Sequence, residues 1–360
     1  MIAVVKVKEA PGREGTEIRD VPKPEPGKGE ALIRVAATSI CGTDRHIYNW
    51  DPTMANTVRP PLTYGHEFCG YIEAFGPDTY HTKVREGDYV SAEMHVVCGY
   101  CHQCRTGQGH ICANTRILGL HGNGCFAEYV TVPVENIVTL DPSIPYHIAS
   151  FLDALGNAVH TIQPVNVVGK DVLVAGYGPI GGMAVSLAHY LGARKIIVTD
   201  VVPFALDHAS RWAEEKGLGD RFLSLNAMEL SYERQREAIL DLCPHGIDVL
   251  LEMSGAASAI NLGLEVMKKG GEASLLGIPG KEEMTLTHYS RDVIFKGITL
   301  HAIIGRRMYD TWFTMIKLLH SGLDVEHVVS RVYDTLEDFH EGMDLFNRHE
   351  ALKVVFQLKH

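Results

Sequence analysis

Four cysteines crowd into fifteen residues as Cys98-x2-Cys101-x2-Cys104-x7-Cys112. Thiolates at this spacing can close a tetrahedral shell around one zinc ion, and four protein ligands leave no coordination position for a reactant. Such a site braces a lobe, so chemistry has to come from elsewhere. Two other groups offer it: Cys41 with the adjacent pair His66-Glu67, and a glycine turn, Gly176-x-Gly178-x-x-Gly181. One thiolate, one imidazole and one carboxylate make an open metal site, where a bound ion can polarise a substrate oxygen. Taken singly the evidence is thin: a lone cysteine is usually a small buried apolar residue, and nineteen histidines make any one of them uninformative. Asp153, within Leu152-Asp153-Ala154-Leu155, is a further acidic candidate whose plainer role is helix capping.

The glycine turn follows an apolar run, Val172–Ala175, and opens a helical pattern, Ile180–Leu191. That is the context in which this motif binds a dinucleotide. Gly176 permits the tight turn, Gly178 lets a pyrophosphate approach the backbone, and Gly181 lets helix and strand pack closely. The next apolar run, Ile196–Thr199, ends in Asp200, 24 residues after Gly176. A carboxylate there suits the adenosine ribose hydroxyls and repels a 2′-phosphate. Val201-Val202-Pro203-Phe204-Ala205 supplies no cation for such a phosphate, so NAD is expected rather than NADP.

The elements that must hold these residues divide the chain in two. The first half reads as short strands (Ile2–Lys8, Ala31–Ala37, Phe68–Phe75, Tyr89–Ala92 and Ala127–Pro133) separated by Pro- and Gly-rich turns, with the metal candidates on the turns. From Asp171 strands and helices alternate: helix Phe204–Lys216, strand Asp248–Met253, helix Ala256–Lys268 and strand Glu272–Leu276. That alternation implies an α/β fold with a doubly wound parallel sheet beside the mostly-β lobe. A helix at Tyr309–His320 and a strand at Lys353–Phe356 could return to the first lobe. The expected division is a catalytic domain at 1–160, joined by 306–360, and a dinucleotide domain at 161–305.

Composition narrows the function classes. The formal charge is −11, from 33 basic and 44 acidic residues without a basic run, which argues against nucleic acid or an anionic membrane as partner. No apolar stretch approaches a membrane span and no signal-peptide pattern stands at Met1. Cysteines clustered as metal ligands, rather than spread as a disulfide framework, fit a reducing compartment, so a cytoplasmic protein is expected.

The order and spacing of these motifs resemble the zinc-dependent medium-chain alcohol dehydrogenases, and within them the L-threonine 3-dehydrogenases. The narrower likeness rests on Cys41-Gly-Thr-Asp-Arg-His-Ile-Tyr-Asn-Trp-Asp51, on Gly156-Asn-Ala-Val-His-Thr161 and on Glu252-Met-Ser-Gly255. Leu276-Gly-Ile-Pro279 and Phe295-Lys-Gly297 add to it. The resemblance implies a GroES-like catalytic domain, a Rossmann NAD domain, two zinc ions per chain and a homotetramer. It makes Cys41, His66 and Glu67 ligands of a catalytic zinc, with Asp153 able to join or approach it, and Cys98, Cys101, Cys104 and Cys112 ligands of a structural zinc. Thr43 and His46 fall on a proton-relay pair, and His95 on a histidine near metal and substrate. Ile180, Asp200, Leu276, Gly277, Ile278, Ile303 and Ile304 fall on NAD-contacting positions, and Trp50 with Asp51 could close over the substrate, Asp51 or Glu67 meeting its ammonium. Ala205 stands where the family usually has an arginine, Ala154 where it has proline, and Ile304 where tyrosine is common. The implied reaction is oxidation of L-threonine at Cβ with NAD. Related polyol, sugar or diol oxidation is the nearest alternative, and a non-catalytic NADH-binding scaffold the more distant one.

Overall fold

A computed structural model describes residues 1–80, 84–280 and 283–359. The chain forms two compact units: Met1–Ala154 with Arg307–Leu319 and Val329–His360, and Leu155–Arg306 with His320–Val328.

The first unit is built on mostly antiparallel sheet, with one parallel pair between Val329–Tyr333 and Lys353–Gln357. Its larger sheet runs, in order, Ile137–Thr139, Tyr89–Ala92, Phe68–Phe75, Glu30–Ser39, Lys353–Gln357 and Val329–Tyr333, with Tyr129–Pro133 also pairing Glu30–Ser39. Ile2–Lys6, Thr16–Asp20 and Leu62–Thr63 form a second, small sheet. Tyr129–Pro133 alternates buried and half-buried positions, as expected of a strand with one face on a core. That core gathers Ile33, Val35, Phe68, Val90 and Val130. A second core packs Tyr64, Phe126, Phe339 and Phe356 in edge-on and tilted ring contacts.

The second unit is a six-stranded parallel sheet in the order Phe222–Asn226, Lys195–Asp200, Asp171–Ala175, Ile247–Glu252, Met267–Leu275 and Thr299–Ala302. Its central strands Asp171–Ala175 and Ile247–Glu252 are buried at every position. Both faces are therefore covered, and this is why they read as unbroken apolar runs rather than alternating ones.

Three expectations need correcting. The helix expected over Ala256–Lys268 stops at Val266, because Met267 already pairs with Ile247 and begins a strand that runs through Gly270-Gly271 to Leu275. The segment 320–328, expected with the first lobe, groups with the second unit. There the Ser186 hydroxyl lies 2.6 Å from His327 Nε2, Tyr190 donates to the Ser321 carbonyl, and Lys216 pairs with Asp324. Leu155 to His160, likewise expected in the first domain, also belongs to the second unit. The division falls inside the helix Leu152–Ile162.

Candidate metal centre and dinucleotide turn

Cys41 caps a helix, Gly42–Asn49, rather than sitting in a free turn: its backbone N–H donates to Asp44 Oδ2 at 2.8 Å, which locks the first helical turn. Thr43 and His46 are therefore helical residues three apart, on one face. His66 and Glu67 lie between the strands Leu62–Thr63 and Phe68–Phe75. Gly65 brings them round at φ +96°, with the Phe126 ring so close that a Cβ would come within 2.7 Å of it. Donor atoms of Cys41, His66 and Glu67 all lie within 4.8 Å of one another. Ligands of one tetrahedral zinc sit roughly 3.5 Å apart, so small side-chain adjustments bring the three onto an ion.

The electrostatics of this locus call for a cation. His66 Nδ1, Glu67 Oε1 and Asp44 Oδ1 are buried with no hydrogen-bond partner among the described residues. Asp44 Oδ1 stands 3.6 Å from His66 Nδ1, which turns Nε2 toward the thiolate side as a ligand. Burial pushes the Asp44 carboxyl up to about 6. Burial also opposes charge on His66, but Asp44 and Cys41 outweigh it and raise the imidazole to about 10. A buried histidine held this strongly in its charged form marks an excess of negative charge, which a metal ion relieves.

Lys353, from the strand Lys353–Gln357, enters the same locus. Its ammonium is 1% exposed, forms a short ion pair with Glu67 Oε2 and donates to the Ile40 carbonyl at 2.9 Å. The Ser39 hydroxyl donates to the same Oε2. Glu67 thus has one oxygen committed and one open, and is fully buried, so it is not placed to meet a substrate ammonium. Asp51 is engaged by His46 Nδ1 at 2.5 Å, and Trp50 packs against the aromatic core with the Lys6 ammonium 5.0 Å from its ring centre. The structure does not favour the substrate-closing role expected for these two.

Asp153 lies in the first turn of the helix Leu152–Ile162 and is 5% exposed, not a surface cap. Its carboxylate falls within 4.8 Å of donor atoms of Glu93 and His95, a third acid–histidine group. The four loop cysteines form their own cluster. Cys112 Sγ lies 3.8 Å from Cys101 Sγ and 3.6 Å from Cys98 Sγ, against about 3.8 Å between sulfurs of a tetrahedral zinc–thiolate site. Backbone N–H groups of Cys98, Cys101 and Asn114 donate to these sulfurs. Although desolvation works against it, donors from Asn114, Tyr100 and Cys101 draw the Cys98 thiol down to about 6, toward the thiolate that a metal needs.

In the second unit, Gly176 turns at φ +95° and a Cβ at Gly181 would sit 1.9 Å from the Gly176 carbonyl, so both glycines are required by the protein itself. Gly178 differs: a Cβ there would meet nothing within 4 Å. Its smallness keeps a cradle open at the N-terminus of the helix Pro179–Tyr190, which begins at Ile180's own turn and presents free N–H groups to an anion. Asp200 accepts from the backbone N–H groups of Tyr177, Val201 and Val202, so it also ties the glycine turn to the second strand, a duty that spacing did not reveal. Beside it lies a cavity of about 360 Å³ lined by Gly176, Asp200, Ala227, Leu230, Ser254 and Ala256. Leu276, Gly277 and Ile278 follow the strand Met267–Leu275, and Ile303 and Ile304 follow its neighbour Thr299–Ala302. Both sets therefore lie at the carboxyl edge where ligands meet such sheets, with Ile278 and Ile304 exposed.

Residues 27–142 match the alcohol dehydrogenase GroES-like domain, and residues 179–321 match the zinc-binding dehydrogenase domain. The chain is 41% identical to an L-threonine 3-dehydrogenase of Anaeromyxobacter dehalogenans over 358 residues, covering 99% of this chain and 98% of that protein. The chain is a zinc-dependent medium-chain alcohol dehydrogenase. Another relative of this dehydrogenase, from a Marinomonas species and also an L-threonine 3-dehydrogenase, is 38% identical over 343 residues, 95% of this chain and 96% of that one. Among solved structures, the alcohol dehydrogenase TADH of Thermus sp. ATN1 superposes with a TM-score of 0.85 at 29% identity and full coverage of both chains. A zinc-binding dehydrogenase of Sinorhizobium meliloti bound to NADP gives 0.83 at 26% identity, covering 99% of this chain and 98% of that one.

Sequence reasoning missed three residues at these loci: Asp44 and Lys353 beside the Cys41, His66 and Glu67 set, and Glu93 beside His95. Lys353 carried a signal, a lone cation heading the apolar run Val354-Val355-Phe356. Glu93 and Asp44 each lie two or three residues from a candidate but look like ordinary surface acids in one dimension.

Proposed function

We propose that this dehydrogenase oxidises L-threonine at Cβ to L-2-amino-3-oxobutanoate with NAD as acceptor. The observation that carries the reading is 38–41% identity along essentially whole chains to proteins named for that activity. When bound, zinc supplies Lewis acidity toward the substrate hydroxyl and NAD the two-electron acceptor. Cys41, His66 and Glu67 are the residues that would hold the catalytic ion, and the four loop cysteines the structural one. The Gly178 cradle, Asp200 and the 276–278 and 303–304 loops would hold the dinucleotide.

The chain's own residues account for the proton and the orientation of substrate. Thr43 accepts a hydrogen bond from the reacting hydroxyl and His46, one helical turn on and exposed, delivers the proton to solvent. Asp51 on Nδ1 of His46 keeps that ring oriented. Asp153 and His95 approach the substrate's amino acid end. The exposed edge strand Thr299–Ala302, with Leu300 and nearby Phe295 exposed, supports assembly of copies through that edge, and we assign a homotetramer. Eight cysteines, all unpaired, fit a cytoplasmic setting. No helix of the described residues is long and apolar enough to cross a membrane.

A panel of L-threonine, sorbitol, glucose and 2,3-butanediol, assayed with NAD and with NADP after zinc loading, tests the reading. Fastest reduction of NAD with L-threonine supports it. A sugar, polyol or diol turned over far faster than threonine overturns it.

A further inference from the structure

Glu93 is a fully buried carboxylate beside His95. Three donors are among the groups that meet its oxygens. Oε1 accepts from the His95 backbone N–H at 3.0 Å and from His95 Nδ1 at 2.7 Å, and Oε2 accepts from Trp312 Nε1 at 2.9 Å. Two of these, a backbone amide and an indole, are donors that cannot reverse. A glutamine would set its amide hydrogens against one of them, whereas a carboxylate accepts at both oxygens. Facing a carboxylate, His95 carries its ring proton on Nδ1, which leaves Nε2 to present the other side of the ring. Trp312 is itself fully buried, so the carboxylate cannot rotate away, and Asn136 clamps the backbone by donating to the Glu93 and His95 carbonyls. His95 is the one member of this network that reaches solvent, with its side chain 25% exposed and Asp153 within 4.8 Å of the group.

We propose that Glu93, braced by Trp312, is the positioning residue that fixes the tautomer and ring direction of His95 toward the substrate. This rests on the reading above, in which His95 approaches the amino acid end of threonine. A buried carboxylate behind Nδ1 makes Nε2 a directed acceptor when the ring is neutral, suited to a hydroxyl or ammonium hydrogen. With Asp153 beside it, such an acceptor suits a substrate ammonium, so the network is assigned to substrate recognition rather than to hydride chemistry.

The test is a double-mutant cycle on the zinc-loaded enzyme, with Glu93→Gln, His95→Ala and the pair. Glu93→Gln is expected to lower kcat/KM for L-threonine about tenfold to a hundredfold, the range for a charge-assisted hydrogen bond. The loss is expected mainly in KM for threonine, with NADH affinity by fluorescence and two zinc ions per chain retained. In the His95→Ala background the same substitution is expected to cost less than about threefold. Trp312→Phe, which removes the indole donor together with part of the buried ring, gives a second, milder reading in the same direction should Glu93→Gln fold poorly. Additive losses in the cycle overturn the proposal, as does parallel loss of NADH affinity, zinc and turnover, or no effect at all. Should the wild-type enzyme ignore threonine and accept a polyol, the functional reading fails, and the cycle run on that polyol still judges whether Glu93 acts through His95.

Discussion

Removing the Lys353 ammonium, as in Lys353→Met, isolates the largest electrostatic commitment in the metal locus. Glu67 is 0% exposed and Lys353 1%, and the Lys353 ammonium is the basic group paired directly with that carboxylate, with the His66 imidazole also near it. Truncating one member of a buried pair leaves an uncompensated charge, at a cost of about 3–5 kcal/mol. The Ile40 carbonyl also loses its Nζ donor, which adds roughly 1–3 kcal/mol, although the two losses share one group and do not simply sum. In metal-free protein, the expected loss of unfolding free energy is therefore about 4 kcal/mol. With zinc loaded the result should differ, because the freed Glu67 oxygen can turn its charge on the ion. Zinc should then recover most of the stability, and the ion should leave more slowly to a chelator than in the wild type. The paired change Lys353→Met with Glu67→Gln removes both charges and should recover at least half of the metal-free loss. Urea denaturation of chelator-stripped and zinc-loaded protein, followed by the change in tryptophan fluorescence, gives these numbers. The reasoning is refuted if metal-free Lys353→Met lies within about 1 kcal/mol of the wild type, or if the double variant is no more stable than the single one.

Other perturbations have equally definite outcomes. Gly178→Ala should leave thermal stability nearly unchanged, because the added Cβ meets no protein atom within 4 Å, yet weaken NADH binding in a fluorescence titration. Gly181→Ala should do the reverse first, destabilising the second unit through a clash with the Gly176 carbonyl, visible as a lowered Tm without ligand. Cys101→Ser should reduce bound zinc from two ions to one by metal analysis and lower the stability of the first unit. Burial, with the neighbouring His208, holds the His327 imidazole down to about 3. The unfolded chain therefore takes up a proton near pH 6.5 that the folded chain refuses. Stability should fall as pH drops from 6.5 toward 3, by up to about 1.4 kcal/mol per unit, and His327→Gln should flatten that part of a pH–stability profile.

Much of the fold was legible because its strongest signals are local. The central strands of the parallel sheet are buried on both sides and announce themselves as Val172–Ala175 and Asp248–Leu251, and the glycine turn sits where strand gives way to helix. The edges were less visible: Phe222–Asn226 buries only Leu225 and Thr299–Ala302 is largely exposed, so neither carries an apolar pattern. The cysteine loop and the Cys41, His66 and Glu67 set could be read from residue type and spacing. What could not be read are the partners that arrive from far along the chain. Lys353 meets Glu67 across 286 residues and Trp312 meets Glu93 across 219. Their pairing depends on which strand lies beside which, and no local periodicity encodes that.

The strand that carries Lys353 pairs directly with Glu30–Ser39, against residues synthesised more than three hundred positions earlier. The first unit cannot close its sheet, nor Glu67 find its counter-ion, until nearly the whole described chain has left the ribosome. The parallel sheet, whose last strand ends at Ala302, is free to consolidate before then. During translation the nascent first unit therefore carries its acidic metal locus without the Lys353 counter-charge until the last strand arrives.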